Sequence, residues 1–119
     1  MPPLTDPERL QAYENALSNW SFTGYIKFDL TEQSRRWVRR ELGIKLTKLG
    51  QLMHEYIKTG GEIDEVRETR AEWSGEHEYH YDLRFSVDGV PAYVETRLNF
   101  RPPFRPDEPW ILVVNVHAL

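Results

Sequence analysis

The chain contains no cysteine, and this absence excludes several classes of protein at once. Without thiols there is no disulfide scaffold, no thiolate metal site and no cysteine nucleophile. The chain also lacks a run of about 18 apolar residues, so no transmembrane span is expected. Its first residues, Met-Pro-Pro-Leu-Thr-Asp, show neither the basic region nor the apolar stretch of a signal peptide. These absences predict a cytoplasmic protein without a membrane partner.

Sequence motifs that would name a reaction are missing as well. The chain has no Gly-rich phosphate loop, no His-x-x-x-His pair and no Gly-x-Ser-x-Gly elbow. His54 and His77 have no neighbours at metal-ligand spacing. The sequence therefore predicts neither a metal nor a cofactor.

The residues that are present fit one globular domain spanning 1–119. Hydrophobic residues make up 39% and aromatic residues 13% of the chain, which is enough for a core. The net charge is −4, which argues against a uniformly basic nucleic-acid-binding surface. The charge is unevenly spread, however, because residues 33–48 hold six basic side chains against Glu41 alone.

The first half of the chain has helical periodicity. Asp6 followed by Pro7 is a favoured helix start, and Gly43 is a favoured stop. The predicted elements are helices over 6–20, from near Asp29 or Thr31 to Leu42, and from Thr47 to Gly60-Gly61, with a short edge strand within 21–28.

The second half changes to a period of two, which is typical of strands. Asp88-Gly89 is a strong signal for a two-residue hairpin turn. Strands are predicted over 63–73, 78–87, 90–100 and 110–117, with a proline-rich loop over 101–109. Together the two halves predict an α+β fold, in which N-terminal helices pack on one face of a curved, mostly antiparallel four- to five-stranded sheet.

The hairpin fixes which side chains share the polar face of the sheet. The predicted pairs are Arg84 with Tyr93, Asp82 with Glu95, and His80 with Arg97. In the last strand, Ile111, Val113, Asn115 and His117 are predicted to share one face, and if this is the polar face, His117 joins the same cluster. The imidazole, carboxylate and guanidinium groups on the polar face are groups that phosphodiester cleavage needs. His80 or Glu95 can take the 2′-hydroxyl proton, while Arg84 and Arg97 can stabilise the developing charge. The alternative is an ordinary solvated sheet face, where polar residues alternate without any catalytic role.

The second predicted helix carries Arg35, Arg36, Arg39 and Arg40, which form two pairs at i, i+4 spacing. Arginines at this spacing can bridge phosphates, and Trp37 beside them can stack on a base or fill the core. The alternative is that the arginines pair with Glu32, Glu41 and the acidic segment 62–72, holding the helix to the sheet.

The order of elements over residues 45–117 resembles the RelE-like and barnase-like bacterial ribonuclease superfamily, which includes many small toxins. The resembling features are a helix, Gly60-Gly61, a strand with Arg67 and Arg70, a hairpin and a last strand ending in His117. The resemblance implies a metal-independent endoribonuclease acting on RNA from the open face of its sheet. The residues carried over are Arg67, His80, Arg84, Glu95 and Arg97, of which Arg67 would join the arginines at 35, 36, 39 and 40 in binding nucleic acid.

Two other functions stay open. The acidic remainder of the chain, the proline loop and four aromatics expected to be exposed favour a non-enzymatic protein–protein module, such as an immunity protein, an antitoxin-like partner or a complex subunit. These aromatics are Tyr13, Trp20, Tyr25 and Trp73. The third function is a small-ligand domain that uses the concave sheet face as its pocket.

Overall fold

The computed structural model describes residues 2–100 and 108–119. Within them the helices are α1 (Pro7–Ser18), α2 (Glu32–Trp37), a π-helical turn (Val38–Leu42), α3 (Leu46–Lys58) and α4 (Ala71–Ser74). The strands are β1 (Ile26–Phe28), β2 (Asp64–Arg67), β3 (Tyr79–Val87), β4 (Val90–Asn99) and β5 (Trp110–Ala118).

The five strands form one mixed sheet in the order β1-β5-β4-β3-β2. Only the pairing of β1 with β5 is parallel. Helices α1 and α2 both pack against β5, which is therefore covered and lies between two strands, as its nearly continuous apolar sequence indicates. The predicted α+β class is confirmed. No helix in the described ranges has the length and apolarity needed to cross a membrane.

Local chemistry sets the helix ends. The Asp6 carboxylate accepts a hydrogen bond from the backbone N–H of Arg9 at 3.0 Å, and Pro7 opens α1. Thr31 caps α2 by accepting from the N–H of Ser34 at 3.1 Å, so the second helix begins at the later of the two predicted positions. Gly43 ends the π-helical turn with φ 66°, a left-handed conformation that favours glycine.

The β3–β4 hairpin has the predicted register. Asp88 and Gly89 both have positive φ, 48° and 82°, as a type I′ turn requires. The ladder then runs from the Val87–Val90 pair up to the Tyr81–Thr96 pair. It includes the predicted pairs Asp82–Glu95 and Arg84–Tyr93, whereas the predicted His80–Arg97 pair lies one step beyond its end.

The prediction that Ile111, Val113, Asn115 and His117 share one face of β5 is wrong. Ile111 and Val113 are fully buried in the hydrophobic core, and His117 is exposed. The register between β4 and β5 shifts between Glu95 and Thr96. Such a bulge places one extra residue in a strand and interrupts its alternation. The simple period of two therefore holds on each side of the bulge but not across it.

The predicted strand over 63–73 is also wrong beyond Arg67, where the strand ends and α4 soon follows. The Glu68 carboxylate accepts a hydrogen bond from the backbone N–H of Arg70 at 3.1 Å. A side chain that bonds its own backbone in this way competes with the sheet ladder. The predicted proline loop lies largely in residues 101–107, outside the described ranges.

Candidate functional site

Arg97 on β4 is fully buried at the centre of an ionic network. Its Nη2 lies 2.7 Å from the Glu68 carboxylate, and its Nη1 lies 2.9 Å from that of Glu95. Both carboxylates are buried as well. Because a buried charge is tolerated only when it is paired, these three side chains depend on one another.

Arg70 and Trp73 complete this network from the segment that follows β2. The Arg70 guanidinium bonds Glu68 at 3.2 Å and also contacts Glu95. The Trp73 ring lies over Arg97, with the guanidinium carbon 5.2 Å from the ring centroid. Burial alone would raise the pKa of Glu68, but the Arg70 N–H and the two guanidinium groups outweigh it and lower that pKa. We call Glu68, Arg70, Glu95 and Arg97 the buried ionic network.

Next to it, His80 and Asp82 form a hydrogen-bonded pair. The His80 Nδ1 lies 2.7 Å from the Asp82 carboxylate, which is almost completely buried. The Tyr93 hydroxyl also bonds Asp82. Burial and the negative charges of Asp82 and Glu95 raise the pKa of Tyr93, so its hydroxyl stays protonated and donates. His117 stacks on Tyr93 with ring centroids 4.7 Å apart.

The predicted catalytic residues are thus brought to one sheet face, but not as an open site. Arg97 and Glu95 are inside the protein and hold each other, so neither can touch a substrate in this arrangement. Arg84 is exposed, and its guanidinium pairs with Asp64 at 3.4 Å. His80 is the one predicted proton acceptor with partial access, since 14% of its side chain is exposed.

Ligand atoms of His80, Asp82 and Glu95 all lie within 4.8 Å of one another, which raises the question of a metal ion. Asp82 already accepts hydrogen bonds from His80 and Tyr93, and two arginines neutralise Glu95. Both guanidinium groups contact the same carboxylate oxygen of Glu95, so a divalent cation bound by Glu95 would lie next to two positive charges. The donor set therefore fits an internally neutralised polar cluster better than a metal centre.

The arginines of the second helix behave differently. Arg35, Arg36, Arg39 and Arg40 are all exposed, and among the described residues no salt bridge involves any of them. Within the described residues, these four side chains make one hydrogen bond, which Arg35 donates to the backbone carbonyl of Phe28 at 3.4 Å. We call these four side chains the arginine face.

The predicted pairing of these arginines with the acidic segment 62–72 is not seen. Within that segment, Asp64 pairs with Arg84 at 3.4 Å and Glu65 pairs with Arg9 at 2.9 Å. Glu68 belongs to the buried ionic network. Basic side chains from α1 and the sheet thus occupy these carboxylates, which leaves the arginine face to solvent. Trp37 between the arginines is half-buried and packs against the core.

Arg67, also predicted to bind nucleic acid, lies elsewhere. It is on β2, at the opposite edge of the sheet from β1, which leads into α2. Its guanidinium pairs with Glu78 at 3.4 Å and lies over the ring of Tyr79. The structure therefore does not bring Arg67 to the arginine face.

A cleft that the sequence did not reveal opens beside α4. It has a volume of about 480 Å³ and is lined by Trp73, Gly75, Glu76, His77, Leu98, Asn99, Phe100, Trp110 and Leu112. We call it the aromatic cleft. Asn99 and Trp110 are directly paired across β4 and β5, whereas Trp73 comes from a segment predicted as strand and His77 lies between two predicted strands. The one sequence signal for the cleft is the number of aromatics near both ends of the proline loop.

The prediction of exposed aromatics is wrong for Tyr13, which is fully buried and bonds Thr96 Oγ1 at 2.7 Å. Trp20, Tyr25 and Trp73 are half-buried. These four residues therefore do not form an exposed patch for a protein partner.

The chain matches no protein-family model, no curated protein and no solved structure.

Proposed function

We propose that this domain binds RNA, and that the arginine face supplies the phosphate contacts. The observation that carries the proposal is the exposure of four neighbouring arginines that have no carboxylate partner within residues 2–100 and 108–119, in a chain whose net charge is −4. Arginines that serve stability in this fold are paired, as Arg9, Arg70 and Arg97 show. Among the arginines that the structure describes, those of the arginine face are the exception.

Guanidinium groups suit phosphates because they are planar, permanently charged and able to donate two parallel hydrogen bonds. The spacing of Arg35 with Arg39 and of Arg36 with Arg40 places neighbouring cations one helical turn apart. Lys45 and Lys48 follow closely in the chain and are also exposed, so the positive region continues to the start of α3.

The same geometry supports binding more than cleavage. A metal-independent endoribonuclease needs a proton acceptor and a cationic group that both touch the RNA. Glu95 and Arg97 are enclosed, so cleavage would rest on His80, oriented by Asp82, and on Arg84, which lies four residues further along β3. Cleavage stays a prediction, and a gel that compares the wild type with His80→Ala tests it.

The binding proposal is tested with a fluorescently labelled single-stranded RNA and its anisotropy. If four phosphates are contacted, the affinity falls about 50-fold between 50 and 200 mM salt, because the logarithmic slope is about −0.7 per contact on single strands. The double variant Arg36→Gln, Arg40→Gln should lose about half of that slope. Arg67→Gln is the matched control, because it removes an exposed but paired arginine elsewhere.

Two results would contradict the proposal. One is the absence of binding at low salt. The other is an equal salt slope for the double variant and for Arg67→Gln.

A protein partner is the second candidate, and one observation favours it. A groove of about 450 Å³ lies beside the arginine face, with Val38, Ile44 and Leu46 along it and Arg35, Arg39, Lys45 and Thr47 completing its lining. An aliphatic groove with basic neighbours suits an acidic protein segment that carries an apolar anchor. Capture of an acidic protein by the wild type but not by the arginine double variant, together with no RNA binding, would select this candidate.

A further inference from the structure

The aromatic cleft lies on the polar face of the sheet and takes no part in the contacts of the arginine face. We infer that it holds an unstacked nucleobase, so that the RNA recognised is single-stranded. The inference rests on the proposed RNA binding and names the kind of RNA.

The walls of the cleft suit a flat ring. Trp73 and Trp110 contribute indole rings, and His77 lies near Trp73 with ring centroids 6.2 Å apart. Aromatic side chains stack on any base, since every base has a π-face. The volume of about 480 Å³ falls within the range of about 300–1,000 Å³ that is usual for small-molecule sites.

One polar atom at the cleft has no hydrogen-bond partner among the described residues. The Asn99 amide nitrogen donates to the backbone carbonyl of Arg97 at 3.3 Å, so its oxygen is the acceptor for His77 Nε2 at 2.8 Å. In neutral His77, Nδ1 is then an acceptor, and it is buried without a hydrogen bond from any described residue. Buried polar groups are normally paired, and the ring of His77 would have to shift to offer this nitrogen to the amino or imino N–H of a base.

The cleft wall is held in place by the buried ionic network. Arg70 immediately precedes α4 and is tied to two carboxylates, and Arg97 lies under the Trp73 ring. A wall fixed before binding loses little freedom when a ligand arrives, which raises affinity. Arg97 is therefore a positioning residue that acts through Trp73.

A cationic path joins the cleft to the arginine face along β1. The Lys27 ammonium lies 5.6 Å from the centroid of the Trp110 ring. The next residue, Phe28, offers its carbonyl to Arg35. A strand with one base in the cleft can therefore pass its phosphates over Lys27 towards the arginines. Bases of a duplex are stacked and paired, so only a single strand can present one in this way.

The test uses two labelled oligoribonucleotides of equal length, one with bases and one with an abasic ribose-phosphate backbone. The strand with bases should bind about 5- to 150-fold more tightly, the range expected for stacking one base. Gly75→Leu and Trp73→Leu should each remove this preference while leaving the affinity for the abasic strand unchanged. Phe22→Ala, which removes an exposed aromatic outside the cleft, should keep the preference.

Gly75→Leu is a second cleft variant, in which, unlike Trp73→Leu, no packed side chain is removed. Gly75 has φ −70°, and a Cβ added there meets no atom within 4 Å, so a leucine fits the backbone and narrows the cleft. Equal binding of both strands by the wild type, or a preference that survives in both leucine variants, would overturn the inference and leave the arginine proposal intact. If neither strand binds, the proposed function fails and the inference fails with it.

Discussion

Replacing Arg97 with methionine removes the central cation of the buried ionic network while preserving most of its apolar volume. Of the cations that the structure describes, Glu68 and Glu95 then keep only Arg70, whose side chain is 44% exposed. Removing one partner of a buried ion pair costs about 3–5 kcal/mol, because the remaining charge is left inside the protein. A domain of this size has a total unfolding free energy of about 5–15 kcal/mol, so the loss is a large fraction.

The loss of unfolding free energy in Arg97→Met should depend on pH, and the structure determines whether this loss grows or shrinks on acidification. In the wild type the pKa of Glu68 is lowered, so its ionised form stabilises the fold at neutral pH, and this stabilisation is lost as the pH falls through the lowered pKa. In Arg97→Met the attraction of Arg97 is gone while burial remains, so the pKa of Glu68 rises. The difference in stability between the two proteins should therefore be largest near pH 7 and shrink below the ordinary glutamate pKa of 4.5.

Urea unfolding of both proteins at pH 7 and pH 4 measures these differences. Arg67→Met is the matched control, because its pair with Glu78 is exposed and worth about 0–1 kcal/mol. The triple variant Arg97→Met, Glu68→Gln, Glu95→Gln should recover part of the loss at pH 7, since it removes the unpaired charges as well. A cost below about 1 kcal/mol for Arg97→Met at pH 7, or a cost that grows on acidification, would refute the reasoning.

Three further predictions concern single contacts. Tyr13→Phe removes the buried hydrogen bond to Thr96 and should lower the unfolding free energy by about 1 kcal/mol in urea titrations; no loss would mean that the bond contributes nothing. Gly43→Ala meets no atom but must keep φ 66°, so it should cost about 1–2 kcal/mol from backbone strain alone, measured in the same way. Asp82→Asn removes a negative charge that helps to raise the pKa of Tyr93, so this tyrosine should ionise at lower pH in an ultraviolet titration; an unchanged curve would contradict the Asp82–Tyr93 contact.

The hairpin was predictable because its signals are local. Asp88-Gly89 determines the turn, the turn determines the register, and the register opposes Asp82 to Glu95. The bulge next to Glu95 was not predictable, because nothing in the local pattern marks where β5 gains a residue against β4. The period of two consequently grouped Ile111 and Val113 with His117, which the bulge separates.

The burial of Arg97 could not be predicted from the sequence, for a different reason. Strand alternation tells which face a side chain occupies, but not what covers that face. Here the cover is the segment after β2, which turns back because Glu68 bonds the Arg70 backbone and which lays Trp73 over Arg97. A prediction of strand for this segment removes the cover and makes the polar face look open.

The arginine face illustrates competition between distant partners. The sequence shows four arginines on a helix and many carboxylates in the segment 62–72, and either pairing or exposure is consistent with that pattern. The outcome depends on which cationic side chains lie closest to these carboxylates in the folded protein. Arg9 on α1 and Arg84 on β3 do so, and the helix arginines do not.

The burial of Arg97 and the exposure of the arginine face both raise the question of what the charged residues of this domain do. A buried ionic network is a weak source of stability, because apolar residues of similar volume often stabilise a fold equally well. Its presence beneath Trp73 is better explained by what it positions than by what it adds to the unfolding free energy. If Arg97→Met, refolded and stable at low temperature, binds the abasic RNA strand normally but loses the preference for bases, the network serves the cleft. If the variant keeps that preference, the network serves the fold alone.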